Sequence, residues 1–363
     1  MGTKIATTGF AAATMNADGR FPTPSGRARF ADTRYRPTAE KTDARHPLHF
    51  NTGRMRDHWH GMSRTGRVAR LYSHAEEPVL AMHLRDMERR GLKDGDIARV
   101  TSRRSQCVVR VAASDEMRPG QTWLPMHWGN RFMNSAGANA LTLDAVDPVS
   151  RQPELKHAAV QVEKLVLPWE LVVMRSAAPG EEPALLARVQ PALSHFTYAS
   201  LGLFGREHPA LILRAAHTGP VAEDTLATID ALFGIDPACS LSYRDARRGI
   251  AKRVMVEAGV VTGVRLSGET AARGWLKDIM ASHSPAEAVR RWMLAPLAAP
   301  PVAAATTRGH IVCNCFDVAE SEILAAAQQG MDLEQLQARL KCGTSCGSCI
   351  PEVKRLITVR KAA

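Results

Sequence analysis

Hydrophobic and polar positions alternate in short runs through residues 45–165. The segments DIARVTS and QCVVRVAAS are rich in β-branched residues, which predicts two strands. The segment RGLKDGD before the first run combines a helix end with a tight Asp-Gly turn, and HLRDMERRG has helical composition with a glycine where a helix would end. Residues 45–165 are therefore predicted to form a β-rich domain.

Residues 166–294 combine strand and helix periodicities. WELVVMRS and ALILRAAH predict strands, and KRVMVEAGVVTGVRLSG predicts a hairpin with its turn at Ala258-Gly259. VAEDTLATIDALFG predicts a helix that ends at Gly234, and ETAARGWLKDIM predicts another. We expect a mixed α/β connecting domain here, and its sequence contains no recognisable catalytic constellation.

The flanking segments differ in composition from these two domains. Residues 1–44 are polar and rich in Gly, Pro and Arg, which predicts an extended lead-in with turns. Residues 295–309 are rich in Ala and Pro and predict a linker. Residues 310–360 are expected to form a small helical module.

Three helices are predicted in this module. VAESEILAAAQQG predicts the first, and Asp332 with Gln335 three residues later forms the capping box of the second. The third is expected to begin near Cys349, with Pro351 in its first turn.

Charge is unevenly distributed along the 363 residues. The net charge is +11, and residues 1–70 alone hold 13 Lys and Arg against 5 Asp and Glu. This excess indicates an anionic partner, with nucleic acid, a membrane surface and a phosphate-bearing cofactor as candidates. No run of 18 apolar residues predicts a membrane span, and the N-terminal stretch resembles neither a signal nor a transit peptide. We therefore expect a cytoplasmic protein.

Five of the seven cysteines lie in two short stretches, HIVCNCFDV and CGTSCGSC. A C-x-C pair and a C-x-x-C pair are separated by thirty residues, and folding would bring them together as a four-thiolate site. Soft thiolates suit either Zn²⁺ or an iron–sulfur cluster. The second pair would lie at a helix N-terminus, where the helix dipole stabilises negative sulfur.

A second candidate site is the segment HFNTGRMRDHWHGMSRTGR. Its small-residue turn after a predicted strand would let backbone N–H groups approach an anion, and its arginines would supply charge-assisted bonds to phosphate. A basic loop without a ligand is the alternative interpretation. His58 and His60 are only weak evidence for a metal site.

The cysteine pattern, C-x-C followed by helical sequence and CGSCIPEVKRL, resembles the bacterioferritin-associated ferredoxin type of [2Fe–2S] module. This resemblance implies a [2Fe–2S] cluster, with Cys342 as a neighbour that is not a ligand. The implied ligands are Cys313, Cys315, Cys346 and Cys349.

The segments LHFNTGRMRDHWHGMSRTGR, GLKDGDIARVTSRR, RPGQTWLPMHWGN and NALTLDAVDPVSRQPELKHAAVQVE, in this order, resemble the molybdopterin-dinucleotide-binding domain of bacterial assimilatory nitrate reductases. The resemblance implies a six-stranded double-psi β-barrel that binds molybdopterin guanine dinucleotide. Trp128 would lie near the substrate funnel. The residues implied at the dinucleotide are Thr52, Gly53, Arg54, His58, Trp59, His60, Asn139 and Lys156.

Together the resemblances imply a multidomain α+β protein: a double-psi β-barrel, a mixed α/β connecting domain and a small helical [2Fe–2S] domain. They imply the C-terminal portion of a nitrate reductase, which relays electrons from a flavoprotein or ferredoxin donor. The molybdenum-ligand and 4Fe–4S regions of that family have no counterpart here, so this chain contributes no catalytic residue and is expected to be inactive alone. A separate chain would supply the molybdenum domain.

Two other classes remain open at this point. One is a freestanding [2Fe–2S] electron-transfer or adaptor protein without catalysis of its own. The other is a zinc-containing nucleic-acid-binding protein, although no aromatic interleaving or nucleic-acid motif supports it. We therefore expect neither nucleic acid nor membrane as a partner.

Overall fold

The computed structural model describes residues 19–30, 32, 34–300 and 309–361, with side-chain detail as far as residue 358. The chain divides into two units, Met1–Ala39 and Glu40–Ala363. The described part of the first unit forms turns, without helix or strand. Part of the predicted lead-in and most of the predicted linker lie outside the described residues. Within the described ranges, no helix is both long and apolar enough to cross a membrane.

Six strands close a barrel. They are Leu48–Gly53 (β1), Val79–Met82 (β2), Ile97–Ser102 (β3), Gln106–Ala113 (β4), Gln121–Pro125 (β5) and Ala158–Lys164 (β6), and a short helix, Leu84–Glu88 (α1), follows β2. The order around the barrel is β1-β5-β2-β4-β3-β6. β1 is parallel to β5 and β2 is parallel to β4, while the other neighbours are antiparallel. The two strands predicted from alternation correspond to β3 and β4; the double-psi crossover remains a prediction.

β1 has one face in the core, and its parallel pairing with β5 places the C-terminal ends of these two strands side by side. Phe50 and Thr52 are buried while Asn51 is exposed, as expected for a strand with one face in the core. The parallel register pairs Thr52 with Leu124 of β5, and the Thr52 hydroxyl donates to the Leu124 carbonyl at 2.7 Å. Because both strands end at the same edge of the barrel, the segments that follow them meet there.

Glu40 fastens the start of the second unit to the barrel. Its carboxylate accepts hydrogen bonds from Arg104 at 2.9 and 2.7 Å and from the backbone N–H of Ala159 in β6 at 2.9 Å, and it pairs with Arg103 at 2.6 Å. These partners lower the pKa of the buried Glu40 carboxyl to about 2, with the Arg104 hydrogen bond as the largest cause. The β3–β4 turn and β6 are thus joined through one carboxylate.

The connecting domain is an antiparallel six-stranded sheet with helices. Its strands are Trp169–Ser176 (β7), Tyr198–Phe204 (β8), Ala210–His217 (β9), Ser240–Asp245 (β10), Ile250–Glu257 (β11) and Val260–Ser267 (β12), in the order β10-β11-β12-β7-β9-β8. Its helices are Glu182–Val189 (α2), Glu223–Phe233 (α3) and Arg273–Ser282 (α4). The barrel and the sheet share one hydrophobic core, and the opposite face of the sheet packs against α4 in a second core.

The turn and helix-end predictions for this domain are confirmed. β7 and β9 have the predicted bounds, and α3 ends at Gly234, whose φ of 65° is left-handed. The β11–β12 turn has positive φ at both Ala258 (48°) and Gly259 (78°), which is the backbone of a tight hairpin turn. β8, β10 and α2 were not predicted.

The C-terminal module contains Ile311–Cys313 (β13), Val318–Ala319 (β14), Glu320–Gln328 (α5), Leu333–Leu340 (α6) and Ile350–Lys361 (α7). The capping box is confirmed, because Asp332 accepts from the Gln335 N–H at 2.9 Å and Gln335 accepts from the Asp332 N–H at 3.0 Å. α7 begins directly after Cys349, as predicted. The two-stranded sheet formed by β13 and β14 was not predicted.

Short 3₁₀ helices complete the described secondary structure. They cover Thr65–Arg67, Ala69–Tyr72, Ala138–Leu141, Gln190–His195, Pro237–Cys239 and Glu287–Trp292.

Candidate functional site

The two cysteine pairs come together in the C-terminal module. Cys313 ends β13 and Cys315 lies in the turn that follows, while Cys346 and Cys349 lie in the loop before α7. All four line one pocket of about 430 Å³. The Sγ atoms of Cys315 and Cys346 are 3.4 Å apart, and Cys349 forms a side-chain hydrogen bond with Cys313. Each cysteine of the first pair therefore contacts one of the second.

The four thiols differ in exposure. Cys313 and Cys349 are buried, whereas Cys315 and Cys346 are exposed. Burial raises the pKa of Cys349 to about 12, while hydrogen bonds from Ser348 lower the pKa of Cys346. The site thus has a buried side within the module and an accessible side toward solvent.

The chemistry of this donor set fits the implied cluster. Four thiol sulfurs line a single pocket, and four cysteine thiolates are the usual ligands of a [2Fe–2S] cluster. The fit lies in the identity of these donors, because across the described residues no group of three or more His, Cys, Asp or Glu side chains already has the arrangement that holds a metal ion. When bound, such a cluster supplies one-electron chemistry, and the chain supplies the sulfur ligands and the shape of the pocket.

The other cysteines lie outside the pocket. Cys342 is fully buried in the module core, and burial raises its pKa. Cys107 is buried within β4, and burial raises its pKa to about 12, as for an inert core thiol. Cys239 is exposed at the end of a 3₁₀ helix.

The outer wall of the cysteine pocket comes from a distant part of the sequence. Arg56, Asp57, Arg70 and Leu71, all in the segment between β1 and β2, line the pocket opposite the cysteines. More than two hundred residues separate the two walls, so no local pattern could have indicated this contact. Sequence reasoning therefore missed these residues as part of the cysteine site.

The candidate dinucleotide loop leaves the barrel at the end of β1. A Cβ on Gly53 would lie 3.0 Å from Nε1 of Trp123, so a larger residue would crowd β5. The next residue, Arg54, is exposed, and its guanidinium lies 5.7 Å from the ring centroid of Trp59. Arg64 lies 5.8 Å from the same ring.

This arrangement forms an exposed aromatic face between two cations. Trp59 is 44% exposed, which is unusual for a tryptophan without a partner surface. An indole face can stack on a planar base, and guanidinium groups form charge-assisted bonds with phosphate. The loop therefore offers a binding surface suited to a nucleotide.

Three of the predicted site residues lie inside the protein: Thr52 in β1, which is 4% exposed, and the rings of His58 and Trp128. His58 is 6% exposed and Trp128 is 1% exposed, with their ring centroids 5.4 Å apart. Within the described chain, His58 Nε2 and Trp128 Nε1 are buried atoms without a hydrogen-bond partner. Burial lowers the pKa of His58 to about 4, so its imidazole is neutral at physiological pH.

His127 organises the loop, and sequence reasoning missed this role. Its Nδ1–H donates to the His60 carbonyl at 2.6 Å, and its Nε2 accepts from the Met55 N–H at 2.8 Å. One imidazole that follows β5 thus joins both ends of the 55–60 segment. The sequence signal for His127 is the MHW stretch, in which the sequence analysis assigned a role to Trp128 alone.

The remaining predicted residues are exposed near the barrel. Asn139 lies in the 3₁₀ helix Ala138–Leu141, and Lys156 lies two residues before β6. β6 pairs Ala158 with Phe50 in antiparallel register. Lys156, before β6, therefore lies at the same end of the barrel as Thr52 and Gly53, at the end of β1. His60 is exposed with a positive φ of 42°.

Comparison with known proteins identifies two domains. Residues 48–159 match the family described as molydopterin dinucleotide binding domain, and residues 311–358 match the BFD-like [2Fe-2S] binding domain. The chain therefore contains a molybdopterin-dinucleotide-binding domain and a [2Fe–2S]-binding domain, whose cofactors are a molybdopterin dinucleotide and a [2Fe–2S] cluster.

One similar protein is a nitrate reductase of Klebsiella oxytoca. It is 33% identical over 354 residues, which cover 93% of this chain and 37% of the Klebsiella protein. The chain thus spans well under half the length of that relative. A solved structure, acetylene hydratase from Pelobacter acetylenicus, matches 33% of this chain and 18% of that chain at 17% identity, with a TM-score of 0.27.

Proposed function

We propose that this chain is the cofactor-holding and electron-relaying C-terminal portion of a molybdenum-dependent assimilatory nitrate reductase, an oxidoreductase that reduces nitrate to nitrite. The observation that carries the proposal is that one segment, directly after β1, contributes residues to both candidate cofactor sites. Its Arg54 lies on the candidate dinucleotide surface, and its Arg56 lines the cysteine pocket. Sequence similarity to the Klebsiella nitrate reductase along almost the whole chain supports the reaction type.

In this proposal the barrel, with its double-psi topology, binds the molybdopterin guanine dinucleotide. Gly53, the last residue of β1, and Arg54, which follows it, approach the phosphates, and the buried Thr52 supports them through its hydrogen bond to the Leu124 carbonyl. The other contacts come from His58, Trp59, His60, Asn139 and Lys156. The exposed indole of Trp59 between two guanidiniums supports a stacked base beside bound phosphate. Trp128, behind His58, supports the wall of the substrate funnel from inside the protein.

Cys313, Cys315, Cys346 and Cys349 would hold the [2Fe–2S] cluster, which would supply one-electron transfer. A flavoprotein or ferredoxin donor binds over the exposed sulfurs of Cys315 and Cys346. Nitrate reduction consumes two electrons and two protons and releases water. The molybdenum-bearing domain, supplied by another part of the enzyme or a separate chain, performs that step. Seven free thiols are consistent with a reducing compartment, so we assign the protein to the cytoplasm.

The proposal is tested by a chimera in which this chain replaces the matching part of the Klebsiella enzyme. We expect the chimera to reduce nitrate and to release a guanine nucleotide on acid treatment, whereas the isolated 363-residue chain shows no turnover even with reduced viologen. Cys346→Ser in the chimera should abolish turnover driven by a flavoprotein donor, and Cys342→Ser should not. Turnover by the isolated chain, or undiminished flavoprotein-driven turnover after Cys346→Ser, would refute the proposal.

A further inference from the structure

The backbone on both sides of Cys313 is held by arginines from other domains. Arg56, after β1, donates from Nη2 to the Val312 carbonyl at 3.0 Å. Arg206, in the β8–β9 turn, donates from Nη1 to the Asn314 carbonyl at 3.0 Å and lies 3.5 Å from the Asp317 carboxylate. The C-x-C segment is therefore contacted by both the barrel and the connecting sheet.

Arg56 is itself fixed by a polar network. Its Nη1 donates to Glu352 of α7 at 3.1 Å, and it also contacts His74. His74 in turn contacts the Asp57 carboxylate and forms a 2.7 Å hydrogen bond with the Ile311 carbonyl. The side chains of His74 and Asp57 are 9% and 13% exposed and those of Arg56 and Glu352 are 25% and 21% exposed, so the network is shielded from solvent mainly at its His74–Asp57 end. Shielded charge-assisted hydrogen bonds are stronger than exposed ones.

Arg56 also brings positive charge to the cysteine pocket, together with Arg70. Reduction of a thiolate-held cluster adds negative charge, so a neighbouring guanidinium stabilises the reduced form. The carboxylates of Asp57 and Glu352 lie beside Arg56. Removing the guanidinium would leave both carboxylates less compensated, which disfavours reduction further in the same direction.

We propose that Arg56 and Arg206 are positioning residues that hold the C-x-C segment docked on the barrel and the connecting sheet, and that Arg56 also raises the reduction potential of the cluster. The proposal rests on the proposed function, because it requires the cluster to be bound by the four cysteines. The cluster module is then a fixed part of the protein and not a freely tethered domain.

The test uses the cluster-loaded full chain, with midpoint potential measured by redox titration and amide hydrogen exchange measured at residues 311–313. Arg56→Ala should lower the potential by about 59 mV, a tenfold change in a one-electron equilibrium, and should accelerate exchange. Arg206→Ala should accelerate exchange with a smaller change in potential. Arg67→Ala is the matched control, because this exposed arginine of the same segment does not line the pocket; it should change neither quantity.

The outcomes separate this proposal from the proposed function. Wild-type protein without iron and sulfide would overturn the proposed function. Normal cluster content with the same potential and the same exchange in Arg56→Ala and Arg67→Ala would overturn only the docking proposal. If Arg56→Ala does not retain its cluster, Arg56→Lys provides the second test. It keeps the charge, so we expect near-normal potential with faster exchange, and unchanged exchange would contradict the proposal.

Discussion

The barrel and the C-terminal module differ in where their candidate cofactor-binding residues lie relative to the hydrophobic core. The barrel is closed, has no free edge strand, and shares a large apolar core with the connecting sheet. The candidate dinucleotide residues Arg54 and Trp59 are exposed on a loop outside that core. The module has a core of nine buried residues, and three of these are cysteines: Val312, Cys313, Val318, Ile323, Ala326, Leu336, Cys342, Cys349 and Val353.

This difference implies that the stability of the C-terminal module depends more on its cofactor than the stability of the barrel does. Small domains bury too little apolar surface to be stable easily, and metal binding often supplies the missing free energy of folding. Two of the proposed cluster ligands are themselves core residues of the module. We therefore expect the barrel to keep its structure without its dinucleotide, and the module to lose structure without its cluster.

The largest effect should follow loss of a cluster ligand. Cys346→Ser should remove nearly all of the iron and should deprotect the amides of α5, α6 and α7, while the barrel strands remain protected. Cys342→Ser is the control, because Cys342 lies outside the pocket, and it should retain iron. The iron content of each variant and the hydrogen exchange of the amides in the module helices and the barrel strands are the quantities to measure. Equal loss of protection in both regions would remove the distinction between them.

The second prediction concerns the effect of the buried His58 on how the free energy of unfolding changes with pH. The folded-state pKa is lowered to about 4 from 6.5, so the unfolded chain takes up a proton first as pH falls. Between pH 6.5 and 4 this should reduce the free energy of unfolding by roughly 3 kcal/mol, with no contribution above pH 6.5. Urea unfolding at several pH values measures it.

His58→Phe should flatten this part of the pH dependence. The control is His195→Phe, which replaces an exposed histidine and should leave the slope unchanged. An identical slope in wild type and His58→Phe would show that the histidine is accessible to protons in the folded protein.

The third prediction concerns the Glu40 carboxylate, which joins the start of the second unit to the barrel. Glu40→Gln should lower the free energy of unfolding by about 2 kcal/mol at pH 7, because charge-assisted hydrogen bonds to Arg103 and Arg104 weaken. The Glu40 pKa is lowered from 4.5 to about 2, so this stabilisation is present above pH 4.5 and disappears as pH falls toward 2. Glu116→Gln, at an exposed position, should have little effect. A difference between the Glu40 variant and wild type that persists at pH 2 would argue against an ionic cause.

The smallest effect is expected at the dinucleotide loop. Arg54→Ala should weaken GDP binding about tenfold, which corresponds to about 1.4 kcal/mol, while Arg20→Ala should change it little. Binding is measured by titration of the intrinsic tryptophan fluorescence with GDP, and duplex DNA serves as the competitor. If DNA displaces GDP at equal phosphate concentration and both variants weaken binding alike, the loop is a general polyanion surface.

Local signals in the sequence predicted much of the fold. Gly234 and the Ala258-Gly259 turn were identifiable because helix ends and tight turns require left-handed backbone. The capping box at Asp332 was identifiable because it lies within four residues. β8 was missed because YASLGLF is buried throughout and lacks the alternation of a half-exposed strand.

The candidate sites show the same limit. The cysteine spacing is a local pattern, and it led to four residues that line one pocket. The opposite wall of that pocket, with Arg56 and Arg70, depends on contacts between distant segments and left no local signal. His58 shows the same limit: the family resemblance implied a dinucleotide contact, whereas its ring is buried beside that of Trp128, which lies three residues after the end of β5.

The most direct test of the cluster assignment is the iron and acid-labile sulfide content of the wild-type chain purified without oxygen. A [2Fe–2S] cluster held by the two cysteine pairs predicts a red-brown protein with two irons and two sulfides per chain. A colourless protein with one zinc per chain and no labile sulfide would contradict the assignment.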